Sequence, residues 1–189
     1  MIELTRYERK QVREQYCFFH KTSDIPGYGR FYSADSRFPC SVAVPGEPHF
    51  VYHRWDPTYL GVTFDINGDE DFAVFRTDFE KVAKQDPWAG DVLAGRLDAV
   101  SYAEHFEQGM YNVGASSKAR VRPRTDRIAG FVAHRVEYAN GWRRIFFMES
   151  NRVMWNIHNR GIEDRTYARC AASLTFLSRN YFSEIASLT

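Results

Sequence analysis

The sequence predicts an α+β fold: an antiparallel sheet of about six or seven strands, covered by helices on both faces as an α/β/α sandwich. Three observations carry this expectation. Aromatic residues make up 16% of the chain, and rings suit half-buried pleated strands better than exposed helices. Two Asn-Gly pairs, Asn67-Gly68 and Asn140-Gly141, sit between strand-like runs and admit the positive φ angles of a tight hairpin turn. Two longer stretches, 87–110 and 163–182, place apolar residues at helical spacing.

In chain order, residues 3–19 are rich in the helix formers Glu, Arg, Lys and Gln, with Val12, Tyr16 and Phe19 on one stripe. Pro26, Gly27 and Gly29 end that helix. Residues 1–28 are expected as a charged helical arm, packed on the domain or on a second subunit, ahead of a single domain over 29–189. Two strands then flank Asp35-Ser36. In the second, Phe38, Cys40, Val42 and Val44 alternate as a strand with one buried face. Pro39 cannot donate to a ladder, so it begins the strand or marks an edge. YLGVTFDINGDEDFAVFRT reads as one hairpin and FVAHRVEYANGWRRIFFMES as another, with a turn at Ser150-Asn151-Arg152 leading into VMWNIH.

A two-residue turn at Asn140-Gly141 sets Glu137 opposite Arg144 and Val136 opposite Ile145. Val132, Val136, Ile145, Phe147 and Met154 then share one face, and Phe131, Phe146, Met148, Val153 and Trp155 the other. Both faces are apolar and need cover. The first covering helix starts at Pro87 with Asp86 as its cap and carries Trp88, Val92, Ala99, Ala103, Phe106 and Met110. The second carries Tyr167, Cys170, Ala171, Leu174, Leu177 and Tyr181.

The composition excludes several classes. The net charge of +1 supplies no field for nucleic acid or an anionic membrane. Three cysteines without a CxxC pair argue against a disulfide framework or a zinc ribbon. The first residues lack an apolar signal region, and no apolar run approaches the ~20 residues of a membrane span. A reduced cytoplasmic protein is expected.

Candidate sites are few. Cys40 and Cys170 fall in register with apolar sets and read as small core residues. DINGDEDF resembles a calcium loop in its acids, but Glu70 and Arg76 occupy the positions that need Gly and a bidentate acid. His49 and His53, on a strand, stand ~13 Å apart, too far for one ion. Neither a metal nor a cofactor is expected. Lys118, Arg120, Arg122 and Arg124 line one side of an extended segment. They form either an anion-binding stripe or a charged edge strand that resists pairing, and the second reading is preferred. No aromatic residue interleaves them, which weakens single-strand nucleic-acid binding. Tyr138, Arg143 and His158, with Asn156 and His134 further along one sheet face, read either as the polar part of a ligand pocket or as the frayed, wet end of the sheet, and the second reading is preferred. No GxSxG, P-loop, dinucleotide fingerprint or HExxH motif occurs.

The order of elements is itself informative. The chain has a strand ending VAVPGEP (42–48), hairpin strands and a helix. A strand opening with Gly130-Phe131 follows, then GWRRIFFMESNRVMWNI and a last helix closing with SLTFL (173–177). Over residues 30–182 this resembles the PsbP-like fold, with its DcrB-like bacterial members. The resemblance implies an antiparallel sheet between helices and a binding or assembly role in place of catalysis. The expectation is therefore a non-enzymatic protein-binding domain: an assembly factor, adaptor or immunity-type protein whose partner is another protein, with self-association through the 1–28 arm. Two alternatives stay open. One is a small-molecule binder or enzyme using Tyr138, Arg143 and His158. The other is an anion or nucleic-acid binder using Lys118, Arg120, Arg122 and Arg124.

Overall fold

Two antiparallel sheets, not one, organise the chain. The computed structural model describes residues 3–56, 59–68, 71–103, 120–137 and 143–188, and the side chains at 55, 56, 59 and 120–126 lie outside that description. Strands β1 (Cys17–His20), β2 (Tyr28–Ser33), β3 (Cys40–Pro45) and β11 (Thr175–Phe176) form a four-stranded sheet in the order β1-β2-β3-β11. The large sheet takes β4 (His49–Asp56), β5 (Tyr59–Asp65), β6 (Phe72–Asp78), β7 (Arg120–Ile128), β8 (Phe131–Glu137), β9 (Arg143–Ser150) and β10 (Val153–Asn159). Its order is β4-β5-β6-β10-β9-β8-β7, antiparallel throughout.

Helices complete the layers. Helix α1 (Arg6–Gln15) and helix α6 (Arg179–Leu188) cover the outer face of the small sheet through Leu4, Val12, Phe18 and Ile185. Helix α5 (Asp164–Ala172) joins the small sheet over one face of the large one. Helices α2 (Phe79–Val82), α3 (Pro87–Leu93) and α4 (residues 99–103) pack on the opposite face.

Both faces of the large sheet carry buried apolar residues, as expected, although Val132, expected among them, is 54% exposed. Ile145, Phe147, Trp155 and Ile157 enter the core between the sheets, where Phe38 meets Trp155 at 5.2 Å and Phe31 meets Phe64 edge-on at 5.6 Å. Val136, Phe146 and Met154 face Phe79, Val92, Tyr102 and Ala103 of the helices. Rings of this size dominate the burial. The seven-stranded antiparallel sheet matches the expectation. The second sheet was not foreseen, and it shares with α5 the covering of one face.

Four expectations about elements change. The first helix stops at Gln15, where Tyr16 adopts φ 58°, and the apolar Cys17-Phe18-Phe19 run continues as a strand buried on both faces. Its start is a capping box: Glu8 N–H donates to Thr5 Oγ1 at 3.2 Å, and Thr5 N–H donates to Glu8 Oε2 at 2.7 Å. The expected helix 87–110 starts as read, with Trp88 N–H donating to Asp86 Oδ1 at 3.0 Å. It then breaks at Gly95 (φ +69°) and restarts behind a second cap, Asp98, which accepts from Ser101 N–H. Phe106 and Met110 lie outside the described residues.

The expected helix 163–182 divides after Ala172. Ser173 turns its hydroxyl to the Cys170 carbonyl at 2.6 Å and accepts from Ala43 N–H at 2.8 Å. Thr175 and Phe176 then pair with Ser41 and Cys40 as β11. The Ser-Leu-Thr-Phe segment thus ends the helix and finds an open strand edge to pair with.

Register is the fourth change. Glu137 lies opposite Arg143 and Val136 opposite Arg144, one residue away from the expected pairing. A slip of one residue exchanges the faces of a strand. Val136 therefore shares its face with Phe146, not Ile145, and the expected Glu137–Arg144 pair does not form; Glu137 instead ion-pairs with Arg135 of its own strand, 3.1 Å from Nε. The first hairpin is wider than a two-residue turn, with Phe64 opposite Phe72. Its loop is held by carboxylates: Gly68 N–H donates to Asp65 Oδ1 at 2.6 Å and Asn67 N–H to Asp71 Oδ2 at 2.7 Å.

Candidate functional site

The helix-side face of the large sheet carries most of the polar groups that the sheet buries. Successive strands place residues in two lateral rows on this face. One runs His53, Gly61, Phe75, Asn156, Phe146, His134, and the next runs Val51, Thr63, Ala73, His158, Arg144, Val136. Arg144, Asn156 and Thr63 are all under 7% exposed. His53 bonds to Thr63 Oγ1 through Nε2 at 3.1 Å.

Gly61 shapes the first row. A methyl built there would overlap the Phe75 ring, which lies across the glycine toward His53 at 6.2 Å between centroids. On the far side, Phe146 stacks on His134 at 5.1 Å and 18°. Asn156 thus stands between two rings that each lean on an outer neighbour. Its Oδ1 is buried without a hydrogen-bond partner. His158 meets Phe75 edge-on at 5.4 Å. Burial first, and then the charges of Arg144 and Arg160, push the His158 pKa well below its ordinary value, so the ring is uncharged at neutral pH.

Of the residues expected to form a pocket, the structure brings Asn156 and His158 to this face. Arg143 is on the other face, where it ion-pairs with Asp164 at the start of α5. The one-residue register shift puts Arg144 where Arg143 was expected. Tyr138 lies outside the described residues, as does Lys118. Arg120, Arg122 and Arg124 belong to β7, the edge strand of the large sheet, with Arg120 opposite Glu137 and Arg122 opposite Arg135. Arg144, Phe75 and Gly61 were not singled out from sequence. The signal was present as an arginine inside the apolar run RRIFF and a glycine inside a strand pattern.

The reactive groups elsewhere are held structurally. Burial pushes the Cys17 and Cys170 thiols up to about 12 and raises Cys40 as well. Asp35 accepts from Arg37 and Arg54, with 2.7 Å and 3.0 Å contacts to Oδ2, and Arg54 lies 3.4 Å over the Tyr16 ring. Among the described residues no cluster of three or more His, Cys, Asp or Glu is placed to hold a metal ion.

The arrangement of sheet and helices has a counterpart among solved structures. The fold is PsbP-like. The solution structure of cyanobacterial PsbP (CyanoP) from Synechocystis sp. PCC 6803 is similar over 80% of this chain and 94% of its own, with a TM-score of 0.51 and 14% identity. No protein-family model matches the chain, and no curated protein matches it. At that identity the PsbP-like likeness concerns the fold alone. Among the described residues no helix is long and apolar enough to cross a membrane.

Proposed function

We propose that the chain is a non-enzymatic protein-binding domain, an adaptor or assembly factor, whose partner adds an extended segment along β4. The observation that carries this reading is the contrast between the two edges of the large sheet. β7 runs Arg-Val-Arg-Pro-Arg-Thr-Asp-Arg-Ile, and its proline and cations oppose edge pairing. β4 runs His-Phe-Val-Tyr-His-Arg-Trp-Asp, without proline or lysine, and Val51 in its middle is 42% exposed. An unguarded edge of this kind is a template for strand addition: main-chain bonds supply affinity, and alternate side chains supply selectivity.

Other features support a binder over a catalyst. The three thiols are buried and protonated, and His158 is half-buried and uncharged. Three unpaired cysteines also suit a reducing compartment, so a cytoplasmic location goes with the proposal. Self-association through the first 28 residues is a second contact, for which Tyr7 on α1, 65% exposed, is available. A photocrosslinking side chain at position 51, used in extract of the native cell, is expected to capture a discrete partner. The same group at Arg152, exposed in the turn between β9 and β10, is expected to capture none. No adduct at 51, or equal adducts at both positions, removes the proposal.

A further inference from the structure

We propose that Arg54 and Arg37 form a seat for one carboxylate, supplied by an acidic side chain of the segment that pairs with β4. The proposal rests on that edge reading and adds the chemistry of the segment. Four positions meet at the rim between the two sheets: Tyr16 ahead of β1, Asp35 and Arg37 between β2 and β3, and Arg54 near the end of β4. Ala34 N–H donates to the Tyr16 carbonyl at 2.8 Å and ties the first two places together. Asp35 is buried, and Arg37 grips it as a fork, Nε donating to Oδ1 at 3.0 Å and Nη2 to Oδ2 at 2.7 Å. That two-point pair already neutralises the acid. Arg54 is a second cation on the same carboxylate: its Nε donates to Oδ2 at 3.0 Å, and its guanidinium carbon lies 3.4 Å from the centre of the Tyr16 ring.

The chemistry of the occupant follows from what the two arginines leave unused. Arg54 engages Asp35 through Nε alone, so the end of its guanidinium, with Nη1 and Nη2 side by side, bonds no group among the described residues. Such an end matches the two oxygens of a carboxylate. Two cations on one acid leave a single positive charge. One carboxylate balances it, whereas a phosphate dianion would overshoot it beside Asp35. The arginines are 46% and 31% exposed, so solvent reaches the seat. Both are held before any ligand arrives, which removes the ordering cost that makes exposed ion pairs weak. The strand then selects the source of the carboxylate. Arg54 reaches Asp35 on the face of β4 that Phe50 and Tyr52 turn to the core between the sheets. A side chain opposite Arg54 on an added strand points to that same face, about 4.5–5.5 Å away between Cβ atoms. A main-chain terminus would instead lie in the plane of the sheet.

The test uses the full chain, labelled with nitrogen-15, and two blocked peptides: acetyl-Thr-Val-Glu-Val-Thr-amide and its counterpart with Gln in place of Glu. The Glu peptide is expected to shift the amides of residues 50–53 and the Nε–H of Arg54, and to bind about three- to tenfold tighter than the Gln peptide. Arg54→Gln should erase that difference and leave the weaker, edge-borne binding of the Gln peptide in place. Equal binding of both peptides to the natural chain overturns the carboxylate seat while edge pairing stands. Shifts at Arg37 and Arg54 with none at 50–53 remove edge pairing, and with it the occupant proposed for the seat. No shift at either place removes both. Should R54Q fail to fold, the comparison of the two peptides on the natural chain decides.

Discussion

Replacing Gly61 by alanine tests how the large sheet is packed at its most crowded glycine. In most strands this exchange helps, because alanine restricts the unfolded chain, a gain of about 0.4–1 kcal/mol. Here the new methyl would overlap the Phe75 ring and stand 2.9 Å from the Val74 carbonyl oxygen. The ring cannot withdraw freely: it is 8% exposed and hemmed by His53 and His158. Overpacking of this kind costs about 1–3 kcal/mol. The net effect is a loss of about 1–2 kcal/mol, or about 2–8 °C in melting temperature for a chain of this size. Denaturant unfolding of Gly61→Ala, Phe75→Ala and the double variant reads it directly. In the Phe75→Ala background the ring overlap is gone and only the Val74 carbonyl contact remains, so the same methyl should cost less than in the parent, giving a coupling of about 1–2 kcal/mol. Refutation would come from a Gly61→Ala protein as stable as the parent, or from equal costs in both backgrounds.

Three further outcomes are expected. Burial alone would raise the Glu8 and Asp35 carboxyls, but hydrogen bonds from Thr5 and His20 to Glu8, and from Arg37 to Asp35, hold both below their ordinary 4.5 and 3.8. A depressed carboxyl contributes stability above its unfolded pKa and loses it as pH falls through the folded one. Stability should therefore drop below about pH 4.5, and Glu8→Gln should flatten that slope; urea titrations at neutral and acid pH would show an unchanged slope if the reasoning is wrong. Arg30 donates to Ser41 Oγ at 3.2 Å, the Ser173 carbonyl at 3.1 Å and Asp24 at 3.0 Å, so Arg30→Met should cost about 1.5–3 kcal/mol by chemical denaturation. The three buried thiols should resist a thiol reagent at neutral pH and all react on unfolding; fast labelling of the native protein would contradict their placement.

The antiparallel sheet was legible from sequence because its signals are local. Turn residues at 67–68 and 150–152 and apolar residues on both faces of 143–157 need no knowledge of the rest of the chain. The second sheet was not, since β1 and β11 are short strands whose pairing depends on distant partners: Cys17 opposite Ser33, and Thr175 opposite Ser41. Each sits at the end of a helical pattern, where helix propensity in the flanking residues outweighs a short strand signal. The site suffered from a finer error. Asn156 and His158 were placed correctly on one strand face, but a single-residue slip in the neighbouring hairpin exchanged Arg143 for Arg144. Turn length sets that register, and sequence constrains it least.

The central claim is that the large sheet separates two cores, one under the small sheet and one under the helices. Carbon-13-edited nuclear Overhauser spectra on aromatic-labelled protein test it most directly. The account predicts contacts from Trp155 to Phe38 and Phe176, whose ring centroids lie 5.2 Å and 5.1 Å away, and from Phe146 to His134 at 5.1 Å. Contacts from Trp155 to the side chains of residues 87–103, or from Phe146 to Phe38, would contradict it.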